Sequence, residues 1–337
     1  MNLKIFFRVD GGSEDGLGHI KRCISIAKII KRRNKLLKPV FIINKKNKTS
    51  KSILNKNGFS YFEVNGKINS KKEITDIVKI LSYHKPKILI VDSKLIDKDY
   101  VTLLKKFSKI IIFEDEKKYN TNPDLLINNN FWAKNFYSNS NSKLLGLKYN
   151  TISKSFFKKN TFDLKCNKIL ISLGGEDPEN ITLKILSTIH RLVPRLKFIV
   201  ILGHSHPEKK IIYKFCQSQS IDAKIVNSPE DISKYFNKLR FVISAGGLSA
   251  YEFASAGLPQ LINILDNHQK KMAKMIEKNN CGKILSYSEN FDVEKISYRF
   301  INFYNDEKQL LIQSKNAMKL IKNSGCELIV NNILKFK

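Results

Sequence analysis

Arg8-Val9-Asp10-Gly11-Gly12-Ser13-Glu14-Asp15-Gly16-Leu17-Gly18-His19-Ile20-Lys21-Arg22 decides the fold. It follows the apolar run Ile5-Phe6-Phe7 and precedes Ile20, Cys23, Ile24, Ala27 and Ile30, which recur at helical spacing. The stretch reads as strand, glycine-rich turn and helix. Gly16 and Gly18 let the backbone turn tightly and come close to a ligand. A helix opening near Gly18 points unpaired N–H groups into the turn, which favours an anion. His19 falls on the first helical turn, facing the same spot. The positive end of a helix disfavours imidazolium, so a base available near neutral pH is expected. A plain βα turn with a surface histidine has the same spacing, so the stretch alone does not name a ligand.

The rest of the chain repeats this alternation. Apolar runs over 4–9, 38–43, 60–64, 87–92 and 109–113 read as strands, and 19–34, 49–57, 70–83 and 96–107 as helices. Leu125-Leu126-Ile127 and Leu144-Leu145-Gly146 read as short strands. Asp92 and Asp115 close their strands at the carboxyl end, where open α/β sheets collect functional groups. The polar, lysine-rich segment 150–166 has no clean period and reads as a connection. Beyond it, strands fit 168–173, 197–202, 222–226, 240–243 and 259–263. Helices fit 179–192, 207–218, 230–237, 248–256, 267–279, 291–303, 305–323 and 326–336.

With 337 residues and 42% hydrophobic content, the expectation is two α/β domains. They are an N-terminal domain over 1–155 and a C-terminal one over 166–337, whose last helices could pack back on the first. Each is expected to be a Rossmann-like parallel sheet, with a cleft between the two. No apolar run approaches the roughly 20 residues that cross a bilayer. The apolar start is too short for a signal peptide and leads straight into a strand. A soluble, cytoplasmic monomer is expected, with peripheral membrane association left open.

The formal net charge of +30 invites a nucleic-acid reading. Only eight of the 60 basic residues are arginines, and the lysines spread over the whole length. No basic segment interleaves with aromatics as a base-stacking platform requires, so no nucleic-acid partner is expected. A field of this sign still concentrates anionic substrates. Cys23, Cys166, Cys216, Cys281 and Cys326 are scattered and form no Cys-x-x-Cys pair, so free thiols are expected. His204-Ser205-His206 has no carboxylate or cysteine at ligand spacing and reads as a polar loop. No metal or cofactor is expected.

The second half carries three further turns. Gly174-Gly175-Glu176-Asp177-Pro178 follows a strand; Asp177 suits a helix cap and Pro178 a first helical turn. Gly246-Gly247-Leu248-Ser249 opens another helix and suits a diphosphate, with Glu252 placed to accept two ribose hydroxyls. Asp266-Asn267-His268-Gln269 starts a third and suits sugar hydroxyls, a phosphate or plain capping.

These motifs resemble two related groups. Gly246 to Glu252, Ala256-Gly257-Leu258-Pro259 and Asn267-His268-Gln269 are similar to the UDP-binding half of the lipid-linked N-acetylglucosaminyltransferase of peptidoglycan synthesis. Arg8-x-Asp10, then His19-Ile20-x-Arg22, resembles the UDP-sugar hydrolase of pseudaminic acid biosynthesis and its spore-coat polysaccharide relatives. Leu126-Ile127-Asn128 and Gly174-Gly175-x-Asp177 match that group too. The resemblance implies the glycosyltransferase-B architecture. It also implies loss of UDP from UDP-2,4-diacetamido-2,4,6-trideoxy-β-L-altropyranose, with water attacking and inverting the anomeric carbon. It makes His19 the general base, with Asp10 and Asp92 beside it in the catalytic group. Arg8, Gly18, Arg22, Asn128, Gly174, Gly175 and Asp177 become substrate contacts on this view. So do Gly246, Gly247, Leu248, Ser249, Glu252, Asn267, His268 and Gln269. Ser93-Lys94 stands where the family carries a tyrosine, and Lys154 where it often carries an arginine. Transfer of the sugar to an alcohol or lipid-linked acceptor is the alternative. It is tested by whether UDP is released without an acceptor.

Overall fold

The computed structural model describes residues 4–11, 17–115, 121–137, 142–158, 161–174, 177, 179–203, 206, 209–229 and 231–336. The chain divides into two compact units, Met1–Ser153 with Ser324–Lys337, and Lys154–Asn323.

The first unit runs β1 (Ile5–Val9), α1 (Gly18–Arg33), β2 (Val40–Asn44), α2 (Lys48–Lys56), β3 (Ser60–Val64), α3 (Lys71–His84), β4 (Ile88–Asp92), α4 (Lys98–Leu104), β5 (Lys109–Phe113), β6 (Leu125–Asn128) and β7 (Lys143–Leu145). Its sheet has the order β3-β2-β1-β4-β5-β6-β7, with every pairing parallel. Strands buried on both faces explain the continuous aliphatic runs at 88–91 and 110–112. Alternate residues of β1 serve different faces. Ile5, Phe7 and Val9 pack with Ile20, Ile24 and Ala27 of α1, while Phe6 packs with Ile77 and Leu81 of α3.

The second unit runs β8 (Lys168–Ser172), α5 (Ile181–Leu192), β9 (Lys197–Leu202), α6 (Lys209–Ser218), β10 (Ala223–Asn227), β11 (Val242–Ala245), α7 (Ser249–Ser255), β12 (Gln260–Ile264), α8 (Lys270–Lys278), β13 (Gly282–Tyr287), α9 (Val293–Asn305) and α10 (Glu307–Leu320). Its parallel sheet has the order β10-β9-β8-β11-β12-β13. The last helix, α11 (Cys326–Ile333), returns to the first unit. There Cys326, Ile329, Val330 and Ile333 join the core under α1, and Glu327 pairs with Arg32 and Arg33.

Three sequence expectations need correction. Where a helix over 230–237 was expected, the described residues 231–237 hold a 3₁₀ turn, Ile232–Tyr235, whose Ser233 N–H is capped by Asp231. The strand β13 was not expected. The connection is shorter than 150–166, because Phe156 packs with its ring tilted 5.7 Å from that of Phe236 and Phe162 bridges to Leu239, both inside the second unit.

Strand order reverses direction between β1 and β4 in one unit and between β8 and β11 in the other. Open α/β sheets bind ligands beyond the carboxyl ends of the strands at that reversal. The loops leaving β1, β4, β8 and β11 are therefore where chemistry is sought.

Candidate active site

In the first unit, β1 and β4 pair in register, Val9 with Asp92. The Asp10 N–H donates to the Asp92 carbonyl oxygen at 3.3 Å, so the chain leaves β1 alongside the end of β4. Gly12 to Gly16 lie outside the described residues. Beyond them α1 starts at Gly18 and carries His19 on its first turn. His19 Nδ1 stands 2.6 Å from Asp92 Oδ1. Arg22, one turn later, forks onto Asp92 through Nε and Nη2, both at 2.5 Å. It reaches Asp115, just beyond β5, at 2.7 and 3.0 Å. The i, i+3 spacing on a helix places both side chains over the same carboxylate.

Asp92 is fully buried and His19 is 8% exposed. Burial penalises the Asp92 charge, but Arg22 and His19 outweigh it and hold the carboxyl far below its ordinary range. An ionised Asp92 assigns the proton to His19 Nδ1 and leaves the Nε2 lone pair as acceptor. Arg22 Nη2 also stands 3.1 Å from Nδ1, but the shorter contact to the carboxylate sets the proton there, and among the described residues Nε2 has no hydrogen-bond partner. Burial also pushes the His19 pKa down. The charge and hydrogen bond of Asp92 overcome this, with Arg22 opposing, and the net direction is upward from 6.5. This corrects the helix-end argument: a bonded carboxylate at 2.6 Å outweighs the partial charge of the α1 terminus.

Three residues expected at the ligand turn inward. Arg8 is fully covered and donates from Nε to Glu73 Oε1 at 2.9 Å. The alternation of β1 places it under α3, and among the described residues it touches the site through Asp10 at 3.5 Å. Arg22 has its fork filled by Asp92 and Asp115. Asn128, at the end of β6, is also fully buried, and its side-chain oxygen caps the turn by accepting from the Asn130 N–H at 3.1 Å. Asp10 remains 14% exposed, with one oxygen accepting from Ser93 Oγ at 2.7 Å. Lys94 follows and is exposed.

In the second unit the side chains largely serve the turns. Gly174, beyond β8, has φ 102°, a conformation that L side chains rarely adopt. Gly175 lies outside the described residues. Asp177, also expected at the ligand, is 1% exposed. It caps α5, accepting from the N–H groups of Ile181 and Thr182 at 2.8 and 2.7 Å, while His206 Nε2 approaches at 3.3 Å. Gln269 Oε1 accepts from the Gly246 and Leu265 N–H groups at 3.2 and 3.0 Å, tying the turn after β11 to the end of β12. Gly246 is needed for that tie, since a Cβ there would stand 2.8 Å from the Gln269 carbonyl oxygen. A Cβ on Gly247 would meet nothing within 4 Å. Leu248 is 51% exposed, Ser249 opens α7 without a side-chain cap, and Glu252 lies half-buried on its first turn. Asn267 and His268 are exposed.

The sequence reading missed Glu73 and Tyr100 and did not join Asp115 to Arg22. Glu73 sits four and eight residues before Ile77 and Leu81 on the buried stripe of α3, a position where a carboxylate needs a partner. A 260 Å³ hollow in the second unit is lined by Lys168, Lys197, Lys224 and Tyr235 at the amino ends of the strands. That is the wrong end of the sheet for the site sought here. Among the described residues no group of three or more His, Cys, Asp or Glu could hold a metal ion. No described helix is long and apolar enough to cross a membrane. The five cysteines are free, and burial pushes the Cys281 thiol up to about 12.

Comparison with known proteins then fixes the architecture. The structure superposes on Acinetobacter baumannii MurG with a TM-score of 0.73 at 13% identity, covering 99% of this chain and 100% of that one. It superposes on UGT2 of Phytolacca americana, solved with UDP-2-fluoro-glucose and pterostilbene, with a TM-score of 0.72 at 11% identity and 99% of each chain. The chain has the glycosyltransferase-B fold. Its homologues include the UDP-2,4-diacetamido-2,4,6-trideoxy-β-L-altropyranose hydrolase of Campylobacter jejuni, 27% identical over 73% of this chain and 86% of that protein. They also include the spore coat polysaccharide biosynthesis protein SpsG of Bacillus subtilis, 25% identical over 96% and 95%. An uncharacterized protein of Methanocaldococcus jannaschii is 24% identical over 81% of this chain, which spans only 59% of that relative's length. No family model matches the chain.

Proposed function

We propose that the protein hydrolyses a UDP-linked deoxy-diacetamido sugar to UDP and free sugar, in the synthesis of a surface polysaccharide or nonulosonic acid. The observation that carries this is the buried Asp92–His19 pair, with Nδ1 bound and Nε2 left as acceptor. A water O–H proton passes to Nε2 while its oxygen bonds to the anomeric carbon. The bond to the diphosphate oxygen breaks on the opposite face, its electron pair leaves with UDP, and the anomeric configuration inverts. Asp92 orients the imidazole and stabilises the imidazolium that forms. Backbone N–H groups around Gly247 to Ser249 receive the developing diphosphate charge, and Glu252 holds the ribose. Asn267 and His268 lie in reach of the same nucleotide on this reading. The similarity to the Campylobacter hydrolase supports the choice of sugar.

Incubation with UDP-linked deoxy-diacetamido sugars in acceptor-free buffer, followed by NMR, tests this. UDP and a free sugar of inverted anomeric configuration are expected. One observation favours transfer instead. Leu95, Phe131 and Phe136, on loops after β4 and β6, are 47%, 44% and 38% exposed, large apolar side chains at the end of the sheet where an acceptor would approach. UDP release only upon adding an alcohol or lipid-linked acceptor would decide for that reading.

A further inference from the structure

β1 is apolar apart from Arg8, and all of it is buried. In the sheet Arg8 lies between Ile42 of β2 and Val91 of β4. An aliphatic residue of similar volume would pack there without the cost of dehydrating a cation. Such replacements of buried ion pairs often leave proteins as stable or more so. Packing therefore gives no reason for a guanidinium at this position.

Its contacts do. Nε donates to Glu73 Oε1 at 2.9 Å, and Nη1 reaches Asp10 Oδ1 at 3.5 Å and the Val9 and Ile42 carbonyl oxygens at 3.1 and 3.4 Å. One flat cation ties a buried carboxylate of α3 to the partly exposed carboxylate beyond β1. Glu73 is itself held firmly. The Tyr100 hydroxyl donates to the same oxygen at 2.8 Å, and the Asn69 N–H donates to the other at 3.2 Å. Asn69 keeps a left-handed φ of 66°, and its side chain donates to Asp97 at 2.6 Å. Asp97 accepts from the Tyr100 N–H at 2.8 Å as the cap of α4. The contacts close into a ring through Glu73, Asn69, Asp97 and Tyr100. Among the described residues Arg8 Nη2 is buried without a partner.

We infer that Glu73 and Tyr100 are positioning residues that act through Arg8 to aim the Asp10 carboxylate at the sugar, where it accepts a hydrogen bond from a hydroxyl or acetamido N–H. The identity of the sugar rests on the hydrolase reading; the aiming of Asp10 does not. The substrate group facing Asp10 is then a neutral donor, and a sugar carrying a carboxylate at that position is rejected by like charge.

The test is Tyr100→Phe in the full chain, with Glu73→Gln beside it. The expected result is a KM for the UDP-sugar raised about tenfold, the scale of one hydrogen bond to a charged group. The fall in kcat is smaller. UDP affinity by calorimetry and the pH midpoint of kcat stay unchanged, because His19 and Asp92 are untouched. Crystals of Tyr100→Phe show Asp10 turned away from Arg8. Unchanged KM and kcat with Asp10 unmoved, even at a lower melting temperature, overturn the inference. A wild-type protein that releases no UDP from any UDP-sugar overturns the hydrolase reading instead, and the orientation of Asp10 in the variant crystals then decides this inference alone.

Discussion

The turn after β1 and the turn after β11 are both glycine-rich strand-to-helix turns at a reversal of strand order, yet they work with different atoms. In the first, side chains converge: Asp92, His19, Arg22 and Asp115 are joined by contacts of 2.5–3.0 Å. In the second, the polar side chain of Gln269 holds backbone in place, and Gly247 beside the start of α7 is open, with nothing within 4 Å of where a Cβ would stand. On the proposed reading, one region handles a proton and the other receives an anion. Side-chain truncation should damage the first, and added Cβ atoms should damage the second.

The largest expected effect is at Asp92. Asp92→Asn keeps the shape but loses the charge that fixes the His19 proton on Nδ1, and turnover should fall on the order of 10³-fold while UDP affinity stays constant. Steady-state kinetics with calorimetry checks this. Arg22→Met leaves Asp92 buried without its cation and should destabilise the first unit by about 3–5 kcal/mol, read from denaturant unfolding. Gly174→Ala forces a side chain into φ 102° and should cost about 1–3 kcal/mol in the second unit. Gly246→Ala should push the turn off Gln269 and weaken UDP binding by about tenfold, with the pH profile unmoved. Asn267→Ala, at an exposed position, should change stability by no more than about 0.5 kcal/mol. A loss of stability from Asn267→Ala comparable to that from Gly174→Ala would erase the contrast.

The pH dependence sharpens the same contrast. The His19 pKa is raised, so its charged pair with Asp92 contributes stability below 6.5 and loses it as pH rises through the raised value. A base must be neutral, so turnover should rise over that same window, with a midpoint above 6.5 in a kcat profile. Asp92→Asn should move that midpoint down.

Most strands were legible because parallel strands buried on both faces are aliphatic runs that helices interrupt at regular intervals. The exception, β13, is an edge strand with only Ile284 and Leu285 as aliphatics, following the turn-like Asn279-Asn280. The site was legible as single residues and opaque as pairs. Asp92 and Asp115 stood out at strand ends, but their meeting on Arg22 depends on three elements 70 and 93 residues apart. Glu73 was hidden for another reason. Ser70-x-x-Glu73 matches a capping box, and Ser70 does cap the Glu73 N–H, but the carboxylate reaches back to the Asn69 N–H with one oxygen and serves Arg8 and Tyr100 with the other.

The most direct measurement is acceptor-free UDP release by His19→Ala beside the wild type, with UDP binding followed on the same samples. The account predicts turnover lowered at least about 10²-fold with UDP affinity intact. Wild-type turnover in His19→Ala would contradict it.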